Sequence, residues 1–104
     1  LSFVRGEQSE AVQRLYETDR HRIDLWEEPQ TEQRSYIIGQ VAHKEDEETI
    51  APMRVIAYTE TGDGIEARLD SGEFHLPALT SGRYDIEVLI GEGEIFLAGI
   101  VVGE

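Results

Sequence analysis

Three histidines, His21, His43 and His75, are the side chains best suited to holding a metal or moving a proton. A metal site needs ligands that converge on one point. These three fall in separate segments, with no i, i+4 or hairpin-opposed spacing, and read as solvated or capping side chains. No metal or cofactor site is therefore expected. The run Glu45-Asp46-Glu47-Glu48 offers carboxylates for calcium. Calcium loops place oxygen ligands at alternate positions around a glycine. Consecutive acids diverge, so this run reads as a solvated loop, and Asp63 and Asp70 read as turn residues. Hydrolysis by paired carboxylates needs two acids opposed across a cleft. With 22 Asp and Glu in 104 residues, the proximity of some pair carries no weight. The chain has no cysteine nucleophile and no G-x-S-x-G elbow, so no catalytic residue is assigned and no enzyme is expected. The sole lysine, Lys44, sits in the charged run and there is no Asn, which excludes a Lys–Asn isopeptide bond and N-glycosylation.

Composition narrows the partners. Against 22 acids stand 9 Lys and Arg, for a net charge of −13. A polyanion gains nothing from counterion release on a phosphate backbone, so nucleic acid is not an expected partner. The absence of Cys excludes a disulfide scaffold and a Cys-ligated zinc site. No apolar run reaches the length of about 18 residues that reads as a membrane-spanning helix, and no membrane contact is expected. A chain of 104 residues with 39% apolar content suits one globular domain. It begins at Leu1 rather than Met, which reads as a processed product or a fragment of a longer protein.

The elements that would position these residues are strands. Ser35–Ala42 is an apolar run of strand length, and Arg54–Tyr58 is a second strand entered after Pro52. Thr61–Gly64 is a turn, and Ile65–Leu69 alternates apolar and charged. Asp70-Ser71-Gly72 turns the chain into Phe74-His75-Leu76, a short strand stopped by Pro77. After Ser81-Gly82, Tyr84, Ile86, Val88 and Ile90 line one face with Asp85 and Glu87 on the other. Gly91–Glu94 is a tight turn before a last strand, Ile95–Val102. Turns every 8–12 residues are the signature of a β-sandwich or barrel.

The first 34 residues admit two readings. Val12, Leu15, Tyr16, Ile23 and Trp26 fit a helical stripe. The same residues fit a hairpin pairing Val12–Tyr16 with Arg22–Trp26 across Thr18-Asp19-Arg20, with Ile23 and Leu25 facing the core. Glu28–Gln33 reads as a polar link to the rest.

Gly39-Gln40-Val41, Pro52-x-x-Val55-x-Ala57, Asp70-Ser71-Gly72-Glu73-Phe74-x-Leu76 and Leu79-x-x-Gly82-x-Tyr84-x-Ile86-x-Val88 resemble the carboxypeptidase regulatory-like, or prealbumin-like, sandwich family. The resemblance implies an all-β, Greek-key β-sandwich of seven to nine strands, one domain over 1–104 with an N-terminal strand and hairpin (1–34) and a core (35–104). It places Tyr84 as a tyrosine corner, its hydroxyl bonding back to the preceding turn. Arg14-Leu15-Tyr16 and Ile23-Asp24-Leu25, with Gly39-Gln40-Val41 and Gly72-Glu73-Phe74, are similar to small bacterial proteins in which such a module follows a zinc-binding anti-sigma-factor-type segment. That segment is absent here. This likeness favours the hairpin over residues 12–28. One prealbumin-like family hydrolyses a purine-derived ring with a Tyr-Arg-Gly-Ser tail; this chain ends Ile100-Val101-Val102-Gly103-Glu104 and lacks it.

Trp26 and Phe96 are the candidate interaction residues. Trp26 is out of phase with Ile23 and Leu25. Phe96 lies in a last strand apolar on both faces, which needs cover from the N-terminal hairpin or from a partner. The expected function is a non-catalytic interaction or accessory module of an anti-sigma-factor-like regulator. Its partner would be a basic protein or sigma factor, or a second copy in a homodimer, and the setting cytoplasmic. The alternative is a secreted or cell-surface sandwich that binds carbohydrate or spaces other domains.

Overall fold

The computed structural model describes residues 11–103, and every regular element among them is a strand. The strands are β1 (Val12–Glu17), β2 (His21–Thr31), β3 (Arg34–His43), β4 (Thr49–Ile50), β5 (Arg54–Tyr58), β6 (Gly64–Glu66), β7 (Arg68–Asp70), β8 (Glu73–Thr80), β9 (Gly82–Ile90) and β10 (Gly93–Val102). Two antiparallel sheets form, one in the order β1-β2-β3-β8-β7 with β4 beside β3, the other β10-β9-β5-β6. Their inner faces share one core, with Ile23, Leu25, Ile37, Val41 and Phe74 from the first sheet meeting Val55, Ile86, Val88 and Ile100 from the second. Alternation of period two supplies this: in β9, Tyr84, Ile86, Val88 and Ile90 are buried while Leu89 is exposed.

The hairpin over residues 12–28 is present, with its register one residue away from the expected pairing of Val12–Tyr16 with Arg22–Trp26. Tyr16 pairs with Ile23 and Val12 with Glu27, and Thr18 closes the turn by exchanging bonds with His21. Ile23 and Leu25 are buried, as a strand with one face on a core requires. The polar link over Glu28–Gln33 is corrected. β2 continues through Pro29 to Thr31, and the chain turns at Glu32-Gln33 straight into β3. An irregularity between Pro29 and Thr31 absorbs the missing proline donor.

Pro77 does not stop its strand either. β8 runs to Thr80, and the pairing shifts where Ser35 meets Leu79 and Ile37 meets Leu76, so Pro77 sits in a bulge. The alternating run Ile65–Leu69 is split at Ala67, whose amide bonds the Val55 carbonyl at 2.8 Å. Its two halves, β6 and β7, belong to different sheets.

The last strand is not buried on both faces. Between Tyr84–Ile100 and Ile86–Leu97, Asp85 stands against both Ala98 and Gly99. Gly99 has φ +70° and donates its amide to Asp85 Oδ1 at 2.8 Å. This bulge reverses the alternation, so Ile95 and Leu97 before it and Ile100 and Val102 after it all face the core. The expected need for cover over a second apolar face disappears. Tyr84 is buried and its hydroxyl donates to the Thr80 carbonyl at 2.8 Å, the corner geometry expected for it.

Candidate functional site

Trp26 and Phe96 lie on the outer faces of different sheets and do not form one surface. Trp26, half-buried, pairs with Ile38 in β3, and Ile38 with His75 in β8. Phe96 is 58% exposed and pairs with Glu87, which pairs with Ile56. The neighbouring row sets Glu94 against Leu89 and Leu89 against Arg54, so exposed Leu89 is the diagonal neighbour of Phe96.

Carboxylates crowd this second face. Tyr58 donates its hydroxyl to Glu87 Oε1 at 3.2 Å. Desolvation raises the Tyr58 phenol above its ordinary value, and the Glu87 charge and hydrogen bond raise it further. Glu94 is raised above the ordinary glutamate value mainly by a hydrogen bond with Glu87, then by the Glu87 charge.

The histidines require a correction. His75 stands alone on β8 beside Glu73, at 3.2 Å. His21 and His43, however, are direct cross-strand partners at the open end of the β2–β3 hairpin. Their ring centroids are 5.6 Å apart with planes 31° off parallel. The two-residue turn Gly91-Glu92 between β9 and β10 brings a carboxylate to them from the other sheet. His21 Nε2 lies 3.2 Å from Glu92 Oε1, and His43 Nε2 lies 3.4 Å from Glu92 Oε2. One donor atom from each of the three residues falls within 4.8 Å of the others.

Local hydrogen bonds fix the backbone at both histidines. The His21 amide donates to Thr18 Oγ1 at 3.0 Å. The His43 amide donates to the Glu48 carbonyl at 2.9 Å, and its carbonyl accepts from Glu47 at 2.8 Å. The loop Lys44–Glu48 is thereby folded back on the end of β3, with Asp46 Oδ1 accepting the Glu48 amide. Beside His43 and Glu92 opens a groove of about 680 Å³, walled by Asp19, Glu45, Asp46 and Glu48 and by the cations Arg20 and Lys44. Carboxylates of the run that read as a solvated loop thus wall a groove that ends on the His43 imidazole and the Glu92 carboxylate.

No protein-family model, curated protein or solved structure matches the chain. Its chemistry is accordingly argued from its own residues. Two imidazole nitrogens and a carboxylate make a mixed N/O donor set of the kind divalent transition metals accept. Sequence spacing missed this set because Glu92 belongs to a different hairpin. It missed the His21–His43 pair because residues 28–33 look like a linker, although they are the closed end of the hairpin that opposes them.

Proposed function

We propose that this chain is a prealbumin-like, carboxypeptidase regulatory-like Greek-key sandwich that serves as a non-catalytic interaction or accessory module of a bacterial anti-sigma-factor-like regulator. Seven strands of five or more residues support the fold reading. So do the pairings β3–β8 and β5–β9, which join strands distant in sequence. Tyr84 at its corner adds to this.

The observation that carries the interaction reading is the outer face of the four-stranded sheet. Phe96 and Leu89, diagonal neighbours on that face, are 58% and 37% exposed. Glu66, Glu87 and Glu94 lie in the same rows. An exposed aromatic anchor among carboxylates suits a partner with an apolar pocket and a basic rim. A net charge of −13 steers the same class of partner, while a second copy of the chain would bring like charges together.

The parent reading frame upstream of Leu1 and the adjacent genes test the regulator reading. A Cys/His zinc segment upstream and a neighbouring sigma factor are the expected result. A signal peptide or membrane span joined to surface-protein domains would overturn it in favour of a cell-surface carbohydrate-binding or spacer module. The contact itself is tested by titrating that sigma factor with the wild-type chain and with Phe96→Asp at low and high salt. Binding should weaken with the substitution and with salt; binding indifferent to both would remove this face from the interaction.

A further inference from the structure

We propose that His21, His43 and Glu92 form a binding site for a divalent transition metal of the zinc class, clipping the two sheets together at one end. The donor types select the metal. Calcium and magnesium take oxygen ligands, whereas imidazole suits zinc, nickel and copper. Two His and one Glu is a three-ligand set that leaves a further coordination position open. The spacing agrees: two ligands on a tetrahedral zinc at about 2.0–2.1 Å lie roughly 3.3 Å apart. The two His–Glu92 separations are 3.2 and 3.4 Å, one to each carboxylate oxygen. Both imidazoles reach the carboxylate through Nε2, and the donor atoms of the two histidines lie within 4.8 Å of each other.

The site is built and also accessible. Both histidine backbones are fixed by hydrogen bonds to their own turns, so little ordering remains on binding. The side chains of His21, His43 and Glu92 are 12%, 35% and 38% exposed, which leaves an entry path from the acidic groove. That groove concentrates cations at its floor. His21 and His43 stand on β2 and β3 of the six-stranded sheet, and Glu92 on the β9–β10 turn of the other. An ion held by all three ties one sheet to the turn of the other. Because such an ion binds the folded chain and finds no preformed site in the unfolded one, it raises stability with its concentration.

The test is a calorimetric titration of Zn²⁺ into the chelator-stripped 104-residue chain, with Ca²⁺ titrated in parallel. The expected result is one Zn²⁺ per chain and little heat from Ca²⁺. His43→Gln and Glu92→Gln, both at partly exposed positions, should each weaken Zn²⁺ binding about tenfold or more. His75→Gln, which alters the other His–Glu pair, should leave it unchanged. The wild-type Tm should rise with added Zn²⁺, and that of His43→Gln should not; this readout needs only that the variant melts cooperatively. Several weak ions per chain, Ca²⁺ binding equal to Zn²⁺, or Zn²⁺ binding that survives His43→Gln would assign the ions to the acidic loop and overturn the proposal. Absence of binding to the wild-type chain would overturn it as well.

Discussion

Arg14 Nη2 lies 2.9 Å from Glu27 Oε1, an ion pair within the first hairpin whose two members each also bond the end of the last strand in the opposite sheet. Glu27 Oε2 accepts the Gly103 amide at 2.7 Å, and Arg14 Nη1 donates to the Val101 carbonyl at 2.6 Å. Glu27 is buried, so each of its partners offsets part of its desolvation. Arg14→Ala should lower stability by about 1–3 kcal/mol, read as a shift in the urea midpoint at unchanged slope. An unmoved midpoint would make the clasp incidental to the fold.

Gly39 is required by Phe74. The two residues pair directly between β3 and β8, and a Cβ on Gly39 would enter the Phe74 ring. Gly39→Ala should destabilise the fold by about 1–3 kcal/mol through overpacking. Adding Phe74→Leu should cost less in the Gly39→Ala background than in the wild type, because the smaller side chain relieves the clash. Additive costs in a double-mutant cycle would deny the contact.

Glu94 predicts a pH dependence of known sign. Its hydrogen bond with Glu87, and then the Glu87 charge, make the folded chain hold the Glu94 proton more tightly than the unfolded chain does, whose ordinary value is 4.5. The stability linked to that proton is fully present below the unfolded value and is lost as pH rises through the folded one. Glu94→Gln, neutral throughout, should raise Tm at about pH 7 and leave it nearly unchanged at about pH 3. A gain of equal size at both would place the effect outside this acid pair.

Phe96 separates surface from core. At 58% exposure, Phe96→Ala should leave the urea midpoint within about 0.5 kcal/mol of wild type. Unfolding of that variant would show the ring to be part of the core and would end the interface reading.

Much of the architecture is legible in the residues. The alternation Tyr84, Ile86, Val88, Ile90 and the turns at Thr61–Gly64 and Asp70–Gly72 are local signals, and each produces the element it suggests, whereas the turn read at Gly91–Glu94 is shorter, with the last strand starting at Gly93. What escapes is set by pairing. Pro77 looks like a terminator because a proline lacks a donor, and Pro29 sits in what reads as a polar link, but an irregularity in the pairing lets the strand pass each. The reversal at Gly99 depends on Asp85 of the neighbouring strand capturing its amide. The sheet change at Ala67 leaves no trace in an alternation that continues unbroken. The register that sets Trp26 against Ile38 also sets His21 against His43. It becomes readable only once Glu32-Gln33 is known to be a turn, and no property of the β2–β3 hairpin announces that Glu92 arrives from elsewhere.

The long-range pairing of β3 with β8 also orders events during synthesis. β1, β2 and β3 can pair as they emerge, because each meets its chain neighbour. The partner strand β8 begins 30 residues after His43, the last residue of β3. At ribosomal speeds that gap is roughly two to six seconds. Throughout it, Ile23, Leu25, Ile37 and Val41 face water, and one flank of β3 offers unpaired amides and carbonyls. The nascent meander is then at its most adhesive, and β8 of its own chain must reach that flank before a strand from a neighbouring ribosome does.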